Sequence, residues 1–325
     1  MCVEIQLGLV SVIVASYNHA EYLEQRMESL INQTYKNLEI LVIDDCSTDN
    51  SAEVLQRYQS DIRVQLILRD ENTGWVGVSN QGVELSSGEF VIFANCDDTC
   101  DPYLIERLVH GLTFNVTAGV TFSRSLMIDE RGEVIGDDFS VREKAFRKKC
   151  SSDVLLTKKE MSQFLLHSCV IPNLSAALFR VECFISAGGL SRAYSVCSDW
   201  DLFFRVVTSC DVAYIAEPLN HFRQHKATIR SSTKERKTYE EYFRLLLGQL
   251  REMELGPIER NRFRIYIMYL WSIHLISPSL VGIRNFPYHA SRVIKYDPPA
   301  ILFLGFGLAW RSIRLIGKSI FGRAR

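Results

Sequence analysis

Short apolar runs alternate with helical patterns over the first hundred residues. Four runs are strand-length and rich in β-branched residues, like the buried strands of a parallel sheet; they cover residues 9–15, 38–43, 64–68 and 90–94. Between them, apolar residues recur at helical spacing, as at Leu23, Met27 and Leu30. This alternation predicts an α/β fold, Rossmann-like, with a mostly parallel, doubly wound sheet.

Two helix starts carry local signals. Asn18 is typical of an N-cap, and Glu21 stands where its capping-box partner would be. Further along, Asp101 and Pro102 predict a cap followed by a proline at the first helical position. Both signals follow a predicted strand, so each marks a strand-to-helix turn.

Beyond residue 236 the chain has helical patterns separated by prolines. We therefore predict an α/β domain over residues 1–235 and a helical extension over 236–325. Nine scattered cysteines without a CxxC pair are typical of a reducing compartment, and the N-terminus lacks the basic region of a signal peptide. We expect a cytoplasmic protein.

Charge is unevenly distributed. After Gly256 there are eleven Lys and Arg against two Asp and Glu, although the whole chain has a net charge of −1. The apolar run 301–310 is half the length of a membrane span, and basic residues follow it at helical spacing. This predicts an interfacial helix on the inner face of the membrane, with docking on the catalytic domain as the alternative. The usual nucleic-acid-binding motifs are missing from this segment, so we expect no nucleic-acid partner.

Polar residues follow three of the predicted strands, at 16–18, 44–45 and 95–98. Ligands of open α/β sheets bind at the carboxyl ends of the strands, so these clusters are expected to lie together. The adjacent carboxylates of Asp97 and Asp98 would suit Mg²⁺ or Mn²⁺. The alternative is a solvated turn residue followed by a helix cap. Neither GxGxxG nor a Walker loop follows the first strand, which indicates that metal and side chains hold any phosphate.

A series of motifs adds to this reading: VSVIVASYN at 10–18, SLINQTY at 29–35, EILVIDDCSTD at 39–49, NTG at 72–74, NQG at 80–82, GEFV at 88–91, and Asp97-Asp98 with Pro102. In this order they resemble the family 2 glycosyltransferases of GT-A fold over residues 8–230. The sequence departs from the family pattern at Ser79, Asn95 and Ser198.

The resemblance implies roles at the donor site. Ala15 and Tyr17 would contact the base, with the Tyr17 ring on its face, and Asp45 would accept a hydrogen bond from a pyrimidine N–H. Asp97 would contact the ribose or the metal shell, and Asp98 would bind the metal directly. For Tyr17, simple packing on the sheet edge is the alternative.

Two later segments also resemble family motifs. Asp199 matches the catalytic base of an acidic motif at the start of a helix, where a carboxylate stays ionised. Arg223 would support the leaving diphosphate, and His225 would contact metal or phosphate. The structural alternatives are an N-cap for Asp199 and a packing role for His225.

The resemblance implies an inverting enzyme that uses Mn²⁺ or Mg²⁺. It would transfer one sugar from a nucleotide-diphosphate sugar, preferably a UDP-sugar, to a hydroxyl of a lipid-linked or surface glycan. A nucleotidyltransferase is an alternative, although it would normally have a glycine-rich basic loop near residue 15. A non-catalytic sugar-nucleotide binder is another, and it would not need Asp199.

Overall fold

The structure of the chain, a computed structural model, describes residues 8–225, 235–275 and 286–309. It divides into two units, Met1–Thr228 and Ile229–Arg325. Within the described part, the first unit has ten strands in one sheet: β1 Val10–Ser16, β2 Leu38–Asp44, β3 Val64–Leu68, β4 Phe90–Phe93, β5 Thr99–Cys100, β6 Ala118–Ile128, β7 Val134–Asp137, β8 Val154–Leu156, β9 Ala177–Arg180 and β10 Asp211–Arg223.

The first four strands run parallel in the order β3-β2-β1-β4, which is the doubly wound arrangement predicted from the alternating pattern. Each predicted run agrees with its strand to within a residue at either end. Beyond β4 the order continues β9-β6-β10-β5, and β9 is antiparallel to both of its neighbours. Because β1, β2 and β4 are parallel, the polar clusters that follow them lie at one edge of the sheet.

Eight α-helices belong to the described part of the first unit: α1 Ala20–Ile31, α2 Ser51–Gln56, α3 Trp75–Leu85, α4 Leu104–Phe114, α5 Lys144–Lys149, α6 Lys158–His167, α7 Val181–Ser186 and α8 Ser198–Val206. The core is formed by β1, β2 and β4 together with the apolar faces of α1 and α4, such as Leu23, Met27 and Leu108. Side chains on both faces of the central strands are buried, and this accounts for their continuous apolar runs.

Both predicted helix starts are wrong in detail. Helix α1 begins at Ala20, and its N-cap residue, His19, makes no side-chain cap bond. Asn18 instead uses its side chain across to the next loop, so the predicted capping box with Glu21 does not form. Helix α4 begins at Leu104, two residues beyond Pro102, while the Asp101 carboxylate accepts a bond from the backbone N–H of Tyr103.

The second unit is helical in its described part, as expected for the extension. Its helices are α9 Glu235–Glu252, α10 Pro257–Leu275 and α11 Phe286–Tyr296, followed by a 3₁₀ helix Pro298–Phe303. Arg264 forms two bonds of 2.7 and 2.9 Å to the carboxylate of Asp297, which joins α10 to the 3₁₀ segment. Of the helices within the described ranges, none combines the length and the apolarity that crossing a bilayer requires.

Candidate active site

The loops after β1 and β2 are fastened to each other. Asn18 and Cys46 both have left-handed backbone conformations, with φ of 53° and 65°. Such conformations are uncommon outside glycine and persist where surrounding contacts hold them. Here the N–H of Asn18 donates to Ser47 Oγ at 2.9 Å, and the N–H of Thr48 donates to Asn18 Oδ1 at 2.7 Å. The two strand ends therefore form one rigid edge.

Tyr17 and Ala15 lie at the end of β1 with part of their surface open to solvent. Tyr17 is 42% exposed, and Ala15 is half-buried at the carboxyl end of the strand. This position is compatible with the predicted contact of both residues with a base. That contact stays a prediction.

Asp45 is buried and already engaged. Its carboxylate accepts hydrogen bonds from the backbone N–H groups of Thr73 and Gly74, at 3.1 and 2.8 Å, and pairs with Arg69 at 3.2 Å. It thereby fixes the turn that leads into α3. For Asp45 to accept a hydrogen bond from a base as well, as predicted, the base would have to reach past this turn.

The two adjacent aspartates point into different environments. Asp98 is fully buried, and its carboxylate accepts hydrogen bonds from Asn173 Nδ2 and Ser175 Oγ, both at 2.7 Å. Asn95 and the backbone N–H of Arg223 donate to it as well, at 3.3 and 3.0 Å. With these four bonds the protein itself satisfies the carboxylate. This environment argues against the predicted role of Asp98 as the direct metal ligand.

Asp97 faces the opposite way and meets two imidazoles. Its carboxylate is 21% exposed and lies 2.9 Å from His225 Nε2. The His225 ring contacts the rings of His19 and Tyr22, with centroid separations of 5.9 and 5.2 Å. Nδ1 of His19 lies 2.6 Å from the carbonyl oxygen of Tyr17, which links this cluster to the loop after β1.

Electrostatics separate the two carboxyl groups further. Burial, and then the neighbouring charge of Asp97, raise the pKa of Asp98 to about 7. Burial also acts to raise the pKa of Asp97, but the hydrogen bond from His225 and the charges of both histidines outweigh it, so this pKa is lowered. The same hydrogen bond raises the pKa of His225. Asp97 is therefore the carboxylate that carries its charge toward the solvent.

The residues His19, Asp97 and His225 fit a divalent ion. Each offers one ligand atom, and the three atoms lie within 4.8 Å of one another. Ligands bound to one ion at about 2.1 Å are separated by about 3–4 Å, so small adjustments would complete the set. Imidazole nitrogen suits first-row transition ions better than Mg²⁺, which prefers oxygen. Of the two predicted ions, this set of ligands therefore favours Mn²⁺.

Arg223 is wholly buried and binds protein groups instead of pointing at a ligand. Its guanidinium donates to the carbonyl oxygens of Asp97, Asp129 and Glu130, and to the side chain of Gln25, at 2.6 to 3.0 Å. This geometry does not fit the predicted contact with a leaving diphosphate. Since its backbone N–H also binds Asp98, Arg223 joins the end of β10 to both aspartates and positions His225 two residues later.

Helix α8 carries Asp199 in its first turn, where the free N–H groups favour an ionised carboxylate. Two contacts anchor the helix: Trp200 Nε1 donates to the carbonyl of Leu165 at 3.1 Å, and Arg205, which pairs with Asp201 of the same helix at 2.8 Å, donates to the carbonyl of Ala187. Asp201 is therefore structural, whereas Asp199 is partly exposed and accepts a bond from the N–H of Trp200 at 2.7 Å. Its predicted role as the catalytic base remains a prediction.

Comparison with known proteins identifies the family. Residues 11–181, which cover β1 to β9 and both aspartates, match the sequence profile of Glycosyl transferase family 2. The chain belongs to this family. Glycosyltransferase GlyG of Streptococcus pneumoniae is 31% identical over 164 residues, which are 49% of this chain and 54% of GlyG.

A second relative is the UDP-Glc:alpha-D-GlcNAc-diphosphoundecaprenol beta-1,3-glucosyltransferase WfaP of Escherichia coli. It is 33% identical over 134 residues, which are 41% of this chain and 52% of WfaP. The chain thus spans about half the length of these curated relatives.

Solved structures establish the fold. TarS 1-349 of S. aureus in complex with UDP-GlcNAc superposes with a TM-score of 0.67 at 15% identity, over 91% of this chain and 81% of that one. The GT-A fold predicted for this family 2 glycosyltransferase is confirmed, together with a helical C-terminal region.

Two parts of the site were missed from the sequence. His19 directly follows the polar cluster at 16–18, so its place at the strand edge was a usable signal. Asn173 and Ser175 lie in a 3₁₀ segment and its cap, within a stretch that has no regular pattern. Nothing in that stretch indicated that it passes beneath Asp98.

Proposed function

We propose that this chain is an inverting glycosyltransferase. It transfers one sugar from a UDP-sugar to a hydroxyl of a lipid-linked or surface glycan precursor. The observation that carries this proposal is the cluster of Asp97, His225 and His19 at the carboxyl edge of the sheet, beside the exposed ring of Tyr17. A metal-ligand set next to an aromatic platform suits a nucleotide diphosphate, which offers phosphate oxygens at one end and a flat base at the other.

On the donor side, Tyr17 and Ala15 contact the base. Asp45 acts mainly by holding the turn at Thr73 and Gly74 in place. Asp97, His19 and His225 hold the divalent ion, and we assign the ligand role to Asp97 in place of Asp98. A bound Mn²⁺ would supply Lewis acidity for the departing nucleoside diphosphate.

Asp98 and Arg223 position this cluster from below. Asp98 ties the turn after β4 to the 3₁₀ segment at Asn173 and Ser175, and Arg223 ties the same turn to the end of β10. The two contacts fix the separation of Asp97 and His225. Neighbours of this kind orient ligands and typically contribute about 10- to 100-fold in metal affinity or activity.

Asp199 serves as the general base. It takes the proton of the acceptor hydroxyl, and the hydroxyl oxygen then attacks the anomeric carbon from the side opposite to the leaving diphosphate, so the configuration inverts. The α8 dipole keeps the carboxylate charged before the transfer. Trp200 and Arg205 anchor α8 through the carbonyls of Leu165 and Ala187, and these contacts hold the helix that carries Asp199.

The names of the relatives support the substrate classes. WfaP is named for its use of UDP-Glc and a diphosphoundecaprenol-linked sugar, and a TarS structure contains UDP-GlcNAc. A relative from Bacillus subtilis, 37% identical over 116 residues, is named as a putative teichuronic acid biosynthesis glycosyltransferase. These names favour a UDP-sugar donor and a glycan or lipid-linked acceptor for this chain as well.

We extend the proposal to the inner surface of the cell membrane. Leu302 and Phe306 are 77% and 61% exposed in the second unit, just before the basic segment that begins at Arg311. Trp310, Arg311, Arg314 and Lys318 of the predicted interfacial helix lie outside the described residues. We expect the double change Leu302→Ser, Phe306→Ser to reduce sedimentation with anionic liposomes, while Ile258→Ser, at another exposed apolar position, leaves it unchanged. Equal sedimentation of the wild type, the double variant and Ile258→Ser would contradict the membrane role.

A panel of nucleotide sugars tests the proposed function. A ligand that binds only the folded state raises its stability, by about 2.7 kcal/mol at a concentration of 100 times Kd. With Mn²⁺ present, we expect UDP-sugars to raise the melting temperature and CDP-, GDP- and dTDP-sugars to do so less or not at all. Release of UDP on addition of a polyprenyl-diphosphate-linked sugar then reports transfer. Binding without any transfer or hydrolysis would leave the chain a sugar-nucleotide binder.

A further inference from the structure

A nucleotide-sugar donor brings negative charge, and three arginines around the candidate site are either buried or already bonded to the protein. Arg26 is fully buried on α1. Arg223 is fully buried and bonded to four acceptors of the protein. Arg69 is paired with the buried carboxylate of Asp45 and bonded to Thr73 Oγ1. These three side chains support the site from within.

Arg192 differs from all three. It is exposed in the loop between α7 and α8, and no described residue forms a hydrogen bond or an ion pair with its guanidinium. The guanidinium lies over Gly77 in the first turn of α3. A Cβ atom added to Gly77 would lie 3.2 Å from Arg192 Cζ and closer still to its Nη2. The same Cβ would lie 3.2 Å from Thr73 Oγ1. The guanidinium therefore sits next to the turn that Asp45 holds.

The loop that presents Arg192 is fixed on both sides. Asn80 of α3 forms two bonds with Leu190, one to its carbonyl and one from its N–H, each 2.9 Å long. Gly188 and Gly189 have φ of 79° and 65°, a conformation that glycine adopts without strain. Ser198 Oγ, at the start of α8, donates to the carbonyl of Ser191 at 2.9 Å.

These contacts connect Arg192 both to the donor side of the site and to the helix that carries Asp199. Toward α3 it reaches the turn at Thr73, which belongs to the donor side. Toward α8 it is one residue from the bond that joins Ser191 to Ser198, directly before Asp199. Under the proposed function the base is near Tyr17 and the anomeric carbon is near Asp199, and this cation is connected to structural elements of both sides.

We infer that Arg192 binds anionic oxygens of the donor over the first turn of α3. This inference rests on the proposed function and adds a contact to it. The oxygens belong to the diphosphate or, if the sugar is a uronic acid, to its carboxylate; a planar guanidinium suits both groups. Gly77 takes part by leaving room for the guanidinium, so a methyl group at this position would displace it.

Isothermal titration of the full chain in the presence of Mn²⁺ tests the inference, with UDP, UMP and UDP-glucuronate as probes. We expect Arg192→Gln to raise the Kd for UDP or for UDP-glucuronate by about 10- to 100-fold, the range for a hydrogen bond to a charged group. UMP, which has neither a second phosphate nor a sugar, is expected to change less. Arg192→Lys should recover part of the lost affinity, because lysine keeps the positive charge but lacks the planar set of donors of the guanidinium.

Two further variants separate this role from a general effect on folding. Gly77→Ala retains Arg192 but displaces its guanidinium, so it should weaken the binding of the same probe, UDP or UDP-glucuronate, that Arg192→Gln affects. Arg57→Gln removes an exposed arginine that follows the last residue of α2 and pairs with Glu53, and it should leave all affinities unchanged. If Arg192→Gln loses more affinity for UDP than for UMP, Arg192 is assigned to the diphosphate. If the loss of affinity is confined to UDP-glucuronate, Arg192 is assigned to the sugar carboxylate.

Unchanged affinities of Arg192→Gln for both UDP and UDP-glucuronate, with normal binding by the wild type, would overturn the inference and leave the proposed function standing. Failure of the wild-type chain to bind any of the three probes would instead count against the proposed function itself.

Discussion

The candidate site has two layers that differ in what their side chains contact. In the lower layer, Asp98, Arg223 and Asp45 are buried, and the protein itself fills their hydrogen bonds. In the upper layer, Asp97 and Tyr17 face the solvent, and Asp97 meets two imidazoles. Adjacent residues such as Asp97 and Asp98 thus belong to different layers. Identical neighbours in a motif can therefore lie in opposite environments, one bonded by the protein and one open to the solvent.

Residues open to substrate should respond to mutation through activity, and Asp199, partly exposed at the start of α8, belongs with the upper layer in this respect. We expect Asp199→Asn to lower kcat by about 10²- to 10⁴-fold, the usual contribution of a general base, while the free energy of unfolding stays nearly constant. Initial rates of UDP release with saturating donor and acceptor, together with a denaturant titration, measure both quantities. Asp201→Asn is the matched control on the same helix, and it should lower stability by breaking the pair with Arg205. Wild-type turnover by Asp199→Asn would contradict the assignment of Asp199 as the general base.

The lower layer should respond through stability. Asp98→Ala leaves the donors of Asn173, Ser175 and Arg223 without their acceptor in a buried place. We expect a loss of about 3–5 kcal/mol in the free energy of unfolding, since each buried donor left without an acceptor costs about 1–3 kcal/mol. Urea titration followed by circular dichroism measures this loss. A variant with wild-type stability and no metal binding would reverse the assignment of Asp98 to the lower layer.

A smaller effect should connect the layers. Arg223→Lys keeps the charge but cannot reach three carbonyls and Gln25 at once, so we expect a loss of about 2 kcal/mol in stability. Because Arg223 holds the turn that carries Asp97, Mn²⁺ affinity should also fall, by about tenfold. Mn²⁺ titration of the folded variant tests this coupling. An unchanged affinity would show that the two layers act independently.

The sheet was predictable because its signal is local. The runs at 9–15 and 38–43 carry their own strand pattern, and the rule for parallel strands then brings the polar ends together. The helix starts were less predictable, since Asn18 can cap its own helix or bind the neighbouring loop, and the choice depends on Thr48 across the sheet edge.

The division of labour between Asp97 and Asp98 could not be predicted from the sequence. It depends on Asn173 and Ser175, which lie more than seventy residues away in a stretch without a regular pattern. Likewise, Arg223 has the residue type expected for a phosphate contact, and only the packing around Gln25 and Glu130 determines that it is buried. Long-range packing therefore determined which polar residues remain available to a ligand.

The most direct test of the account is the Mn²⁺ affinity of Asp97→Asn, measured by calorimetry in the presence of UDP. The substitution keeps the size of the side chain and removes its charge from the cluster with His19 and His225. The account predicts that Mn²⁺ affinity falls by at least tenfold while the free energy of unfolding changes by less than about 1 kcal/mol. Wild-type Mn²⁺ affinity in this variant would contradict the assignment of Asp97 as the metal ligand.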